Sequence, residues 1–549
     1  MLKAIASTRV VINGQIIPAT IVYSTDSGKI VTIYENEVLE TVPSYEGESV
    51  QNYIIVSPHV IMPGLVDAHV HLNEPGRTEW EGFATGTRSA VGGGVTTVID
   101  MPLNAIPPTT TVENLNIKLA AANGQMWCDV GFWGGLIPSN LEELVPLVRS
   151  GVCGFKGFMM DSGVEEFPAI DKNYITKALQ TLENEHTMLL FHAEQAPSEG
   201  NLGLVDPLCD INDTNKNKDD VFLDHVHAAP GGQDLTETQI HALAESKVLE
   251  SVEPTVGQPA HEVYASHSSQ NPLDSLDRHD HLFDHIDPTT YAPFLASRPD
   301  VFETNAISTI ISCMTEFAKR SKRIPKVHVV HLATQEAVPM LRHARQVLKL
   351  PISVETCFHY LKFAAEKIPA KATHYKCCPP IRSEDNRLAL WEALRENVIT
   401  TVVSDHSPCT PELKNMEKGD FFAAWGGISS VGLGLSIMMT EGAKMSPQVT
   451  IPEIVKWCCE NTSEQVGLQH RKGFLRPGYD ADFVVVDQYR KRVVSGDNTY
   501  FKNKLTAYNG QELRGQVLTT YVGGKIAYDL ETGHCTVPFG QPLLEPRTV

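Results

Sequence analysis

Apolar and polar positions alternate with a period of two near the start of the chain, and longer apolar runs replace this pattern after about residue 60. ASTRVVINGQII, TIVYST, GKIVTIYEN and NYIIVSP, separated by Gly, Asn, Asp and Ser, predict short strands of a small antiparallel sheet. DADFVVVDQ and GQVLTTYVGGKIAYD repeat the pattern near the other end. Neither piece is large enough to close a good core alone. Residues 1–60 and 473–549, the latter with a tail, are therefore expected to meet as one composite β-sandwich. Two separate β-appendages are the alternative.

Between them, eight apolar runs are each followed by a helical stretch: IMPGLVDAHVHL, VTTVIDMP, CDVGFWGGL, VCGFKGFMM, MLLFHAEQ, VHVVHLA, ISVETCFHYL and ITTVVSDHSP. Eight is the number that closes a parallel (β/α)8 barrel, and near-continuous apolar character suits strands buried on both faces. The predicted fold class is thus α/β: a (β/α)8 (TIM) barrel over 61–472 plus the β-sandwich from both chain ends. In FLASRPDVFETNAISTIISCMTEFAKR, the positions Val301, Ile307, Ile310, Ile311, Met314 and Phe317 predict one buried helical face. Gly92-Gly93-Gly94 precedes a strand rather than opening a helix, so it reads as a helix end and turn, not as a phosphate loop. From Gly203 to Thr290 the rhythm breaks. That stretch holds 17 Asp and Glu against four Lys and Arg, with eight of the 21 histidines, and reads as an irregular insertion after the fifth strand.

Composition narrows the function classes. The chain has 549 residues, 42% hydrophobic and 20% charged, which excludes wholesale disorder. A net charge of −21 argues against nucleic acid or an anionic membrane surface as partner. No apolar run reaches the ~18 residues of a membrane span. MLKAIASTRVVINGQIIP is interrupted by Arg9 and Asn13 and lacks a signal-peptide shape. The eleven cysteines form no Cys-x-x-Cys pair, and the doublets Cys377-Cys378 and Cys458-Cys459 are poor disulfide candidates. A reducing, cytoplasmic compartment is expected.

The chemistry-bearing residues fall where a barrel would use them. His69, His71, Lys156, His192, His331 and Asp405 each end an apolar run, and in such barrels the C-terminal strand ends form the catalytic face. In Asp67-Ala68-His69-Val70-His71 the two imidazoles, at i and i+2 of a strand, share a face and can converge on one metal. His279-Asp280-His281 repeats the spacing inside the polar insertion and reads as a solvated loop. A lysine in a barrel mouth must be neutralised, paired or modified, so Lys156 is either salt-bridged or carboxylated. His192 and His331 are candidates for a second metal, each otherwise a satisfied core histidine. Asp405 can bind a metal through one oxygen and handle a proton with the other. Ser404, His406 and Ser407 beside it do not make a hydrolase triad: sequence neighbours do not face one another, and no Gly-x-Ser-x-Gly elbow exists.

These six positions, with PGLVDAHVHLNEPGRTEWEGFATGTRSAVGGGVTTVIDMPLN, GFKGF, HAE, YKCCPPIR, VSDHSPC and WGGI, resemble the amidohydrolase superfamily, and within it the cyclic amidohydrolases. The likeness covers nearly the whole chain, the insertion being the departure. It implies two divalent cations, zinc first with manganese, cobalt or iron compatible. His69, His71 and Asp405 would hold one, His192 and His331 the other, with Lys156, carboxylated by carbon dioxide to N6-carboxylysine, bridging them. A metal-bridged hydroxide would then open a cyclic amide, Asp405 carrying the proton. A homo-oligomer, a tetramer by resemblance, is also implied. Dihydroorotases carry an Arg and a His for a substrate carboxylate where this chain has Asn73 and Cys409, which favours an uncharged hydantoin ring. Hydantoinases and dihydropyrimidinases usually lack the Glu74-Pro75-Gly76-Arg77 string followed by Trp80-Glu81-Gly82 and form the enzymatic alternative. A metal-free scaffold relative is the remote one. Arg77 and Glu81 read as a salt bridge behind the first loop. Asn104 is a candidate contact to a ureido or ring carbonyl, or else closes a turn. Cys378 and Pro379, in CCPPIR, are candidate ring contacts.

Overall fold

The computed structural model describes residues 1–197 and 286–545. Most of the expected insertion at 203–290, His279 and His281 included, lies outside the described residues.

The two chain ends meet. Strands β1 (Leu2–Ile12), β2 (Gln15–Ser24), β3 (Ile30–Glu35), β4 (Asn52–Ile55) and β5 (Val60–Pro63) belong to one nine-stranded sheet with four strands from the far end of the chain. β5 is the seam. It runs parallel to β1 at Val10–Ile61 and antiparallel to Phe483–Val493, pairing Val60 through Pro63 with Val486 through Phe483. Ile5, Val10, Ile21, Ile61, Phe483 and Tyr521 share one buried core, in which the Phe483 and Tyr521 rings stack at 4.5 Å. Two independent appendages are thereby ruled out, and the sheet extends to Pro63.

Eight parallel barrel strands follow. They are β6 (Leu65–Val70), β7 (Val95–Asp100), a third in two pieces, β8 (Asp129–Phe132) and β9 (Gly134–Gly135), then β10 (Phe155–Phe158), β11 (Met188–His192), β12 (Lys326–Val329), β13 (Ile352–Cys357) and β14 (Thr401–Val403). Every sequence run supplies its strand. Pairing runs β6–β7–β8 on one side of Trp133 and β9 through β14 on the other. The ring closes where His406 forms a parallel bridge with Val70 and its carbonyl accepts the His71 N–H at 2.8 Å. Between β7 and β6 helix α1 (Phe83–Gly92) ends at Gly93, where an added Cβ would strike the Gly432 backbone; the glycine run is a helix end and turn.

Helix α2 (Asp300–Ala318) departs from the face read in the sequence. Phe302, Ala306, Ile307, Ile310, Cys313, Met314 and Phe317 are buried, whereas Val301 is exposed and Ile311 half-buried. The segment carries apolar residues on most of its circumference, so hydrophobicity alone does not set its phase. Glu303 lies within the buried face.

After the barrel come β15 (Phe483–Val493), β16 (Glu512–Val522), β17 (Lys525–Asp529) and β18 (Gly533–His534). Two devices lock this sheet to the barrel. Buried Lys472 meets Asp129 at the start of β8, and Asp480 and Asp482 before β15, at 2.6, 2.9 and 2.6 Å. The last described segment lies along β8, with Gly540 N–H on the Met126 carbonyl and Leu543 N–H on the Val130 carbonyl, both at 2.8 Å. Among the described residues no helix is long and apolar enough to cross a membrane, and every described cysteine is a free thiol.

Candidate metal centre

The six residues converge at the C-terminal ends of the barrel strands, lining one cavity of about 690 Å³. His69 lies in β6 and His71 follows it; His192 ends β11; His331 and Asp405 each stand two residues beyond their strands. Lys156 differs from expectation in one respect, being the second residue of β10 rather than its end. His331 and Asp405 both adopt positive φ, 39° and 43°, a conformation that costs a non-glycine residue energy and persists here beside the site.

The geometry divides into two halves. Donor atoms of His69, His71 and Asp405 all lie within 4.8 Å of one another. His69 Nε2 is 3.2 Å and His71 Nε2 3.6 Å from Asp405 Oδ1. His69 Nε2 is buried and makes no hydrogen bond, so that contact lacks hydrogen-bond alignment. In the other half, the His192 and His331 rings are 4.6 Å apart, and Lys156 Nζ is 3.4 Å from His331 Nε2. His331 and His69 rings, 5.5 Å apart, join the halves.

Each half is backed by a buried carboxylate that sequence reading did not single out. His69 Nδ1 donates to Glu355 Oε1 at 2.5 Å, which leaves the Nε2 lone pair facing Asp405. His192 Nε2 donates to Glu194 Oε2 at 2.6 Å, leaving Nδ1 as its available nitrogen. HAE places Glu194 next door but one in sequence, a signal that was present; Glu355 comes from β13, and nothing local announces it. Ligand histidines held by a carboxylate in this way have fixed orientation and raised basicity.

Electrostatics suit cation binding. Burial drives the imidazoles toward the neutral form that ligates metals: His192 falls to about 4 despite Glu194, and His71 and His331 fall well below their ordinary value, His69 and Lys156 adding to the effect. Burial also lowers Lys156 to about 8, against the pull of Asp405, Glu355 and Cys357. Among the described residues no carboxylate forms an ion pair with Lys156, so the salt-bridged reading of this lysine finds no support. Its Nζ lies 4.9 Å from the Phe158 ring centroid. Burial raises Asp405, with His69 and Lys156 opposing. Neutral, orphaned imidazole nitrogens together with carboxylates are a donor set that zinc, manganese, cobalt or iron would fit.

Other expectations sort by position. Asn104 lines the cavity at φ 68°, in a bend where its carbonyl accepts Arg77 Nη1 at 2.9 Å. Cys378 lines the cavity. Pro379 is not among the lining residues, and its carbonyl accepts the Tyr360 hydroxyl at 2.7 Å. Arg77 and Glu81 do not pair with each other. Arg77 lies 3.8 Å from Glu166, and Glu81 Oε2 accepts His406 Nε2 at 3.0 Å. His406 Nδ1 accepts the Ser430 N–H at 2.9 Å, so both its nitrogens are committed and no triad exists. Missed by sequence reading were the wall loop 161–165 and residues 422–424, which lead into the WGGI motif. The latter residues are held by Lys376, whose Nζ donates to the Phe422 and Ala424 carbonyls at 3.0 and 2.7 Å.

The chain belongs to the amidohydrolase family, which it matches over residues 60–203 and 272–527, and is by that membership a hydrolase. Within that family its similar sequences include allantoinases: it is 50% identical over 549 residues to the allantoinase of Saccharomyces cerevisiae, covering 100% of this chain and 99% of that one. The probable allantoinase of Oryza sativa is 36% identical over 493 residues, covering 88% and 81%. Among solved structures, the L-hydantoinase (dihydropyrimidinase) of Arthrobacter aurescens superposes with a TM-score of 0.75 at 22% identity, covering 99% of this chain and 100% of that one. Dihydropyrimidinase from Brevibacillus agri gives 0.73 at 21%, covering 100% and 99%. At such identities these two establish the fold alone. Membership in the amidohydrolase family implies a divalent metal centre.

Proposed function

We infer that the chain is a cyclic amide hydrolase that opens the hydantoin ring of allantoin to give allantoate. Identity of 50% with an allantoinase over the whole length carries this reading, and the cavity supplies the parts it needs. His69, His71 and Asp405 would hold one divalent cation, and His192 and His331 a second. Lys156 would span them as N6-carboxylysine, its amine adding to carbon dioxide and losing a proton. Cations held there supply Lewis acidity, acidifying water near neutral pH and polarising a carbonyl.

The chain's own residues do the rest. Asp405, whose Oδ1 lies 3.2 Å from His69 Nε2, takes the proton of the attacking water as its oxygen adds to the ring carbonyl carbon. It returns that proton to the ring nitrogen as the C–N bond breaks, since that nitrogen departs poorly as an anion. Glu355 and Glu194 hold their imidazoles in the ligating orientation. Asn104 and Cys378 line the space where the ring and its ureido group would lie. Zinc is the first choice of metal. Residues 61–472 would carry the chemistry and the two ends the supporting sheet. A homotetramer, by resemblance, and a cytoplasmic location, suggested by the free thiols, complete the proposal.

Side-by-side turnover of allantoin, hydantoin, dihydrouracil and dihydroorotate tests the assignment. Allantoin is expected to be fastest; faster turnover of dihydroorotate or dihydrouracil would defeat it.

A further inference from the structure

The two carboxylates behind the metal-facing histidines are not neutralised alike. Glu355 Oε2 lies 2.9 Å from His328 Nε2 and accepts Gln465 Nε2 at 3.2 Å, neither of which brings a permanent charge. Glu194 Oε2, besides holding His192, accepts Arg298 Nη1 at 2.6 Å. A guanidinium keeps its charge at any working pH. A carboxylate that accepts an imidazole N–H pushes electron density through the ring toward the opposite nitrogen and strengthens it as a donor. Such outer partners tune metal affinity by about 10- to 100-fold. A cation on the same carboxylate drains that push.

The remaining donors add to the imbalance. Asp405 gives the first half an anionic ligand. His331, in the second, has no hydrogen-bond partner on Nδ1, so no carboxylate stands behind it.

We propose that Arg298 is a positioning residue that makes the two cation positions unequal. Acting through Glu194, it weakens His192 as a donor, so the position of His192 and His331 holds its metal less tightly than that of His69, His71 and Asp405. The inference rests on the two-cation reading above. Its consequence is that one position exchanges metal with the surroundings while the other keeps what it first receives.

The test uses the full chain loaded with zinc in bicarbonate buffer, dialysed against graded dipicolinate, with metal per chain counted by plasma emission spectrometry. Wild type is expected to lose its two equivalents in separate steps. Arg298→Gln should move the early step to about tenfold higher chelator and leave the late step in place. Glu194→Gln should move the early step lower, and Glu355→Gln the late one. Arg298→Lys, which keeps the charge, should behave as wild type and controls for folding. Simultaneous loss of both equivalents, or an early step that stays where it is in Arg298→Gln, overturns the inference even with ring-opening intact. A wild type that never binds two cations defeats the underlying reading instead.

Discussion

Lys156 is the residue on which the charge balance of the cavity turns. A fully buried amine with no carboxylate among the described residues in ion-pair range is unfavourable unless its charge is removed or its chemistry changed. Lys156→Ala is expected to lose both metal and activity, with partial recovery when small carboxylates are added; full metal content in that variant would contradict a bridging role. For Asp405→Asn, turnover should fall by at least about 100-fold with a much smaller change in substrate binding, as expected for a proton carrier. Near-native turnover would remove Asp405 from that role. At this scale the candidate positions were legible as a cluster, because all but Lys156 sit at or just beyond a strand end in a short motif. Their supports were not. Glu355 reaches His69 across 286 residues of sequence, and Arg298 reaches Glu194 across 104; such pairings exist only once the barrel closes.

Among the elements, α2 shows what periodicity can and cannot decide. Its existence and most of its inward face, Ile307, Ile310, Met314 and Phe317, followed from the pattern, but Glu303 rather than Val301 completes that face. Glu303 Oε1 accepts the Ala333 N–H at 2.8 Å, and Oε2 accepts Arg382 Nη2 at 2.8 Å, tying the loop after His331 to the CCPPIR loop. Burial raises its carboxyl to about 7, with Arg382 opposing. Glu303→Ala would leave the Arg382 guanidinium buried with the half-exposed Asp300 as its ion-pair partner among the described residues. The expected loss is about 3 kcal/mol, read from urea unfolding; a change under about 1 kcal/mol would show that the tie is dispensable. The barrel strands were legible because parallel strands covered on both faces read as unbroken apolar runs. The inner placement of Lys156 was not, because an apolar run does not announce where hydrogen bonding stops.

For the whole molecule, the Lys472 knot lies at the start of β8, the opposite end of the strands from the metal centre, and joins barrel to terminal sheet. Lys472→Met would leave Asp129, Asp480 and Asp482 crowded without their shared cation, and is expected to cost about 3 kcal/mol in stability. Metal content per folded chain should stay unchanged; losing metal along with stability would mean that the two ends of the barrel are coupled. The composite sheet also bears on synthesis. β5 finds its antiparallel neighbour only at residues 483–486, more than four hundred residues later. On the ribosome, the first strands emerge and wait while the whole barrel is translated, the edge of β5 uncovered until residues 483–486 follow. Contacts so distant along the chain are slow to form and leave nascent edges open to wrong pairings. Soluble yield is therefore expected to depend on chaperones during expression, a dependence that grafting the two ends together in a circular permutant should relieve.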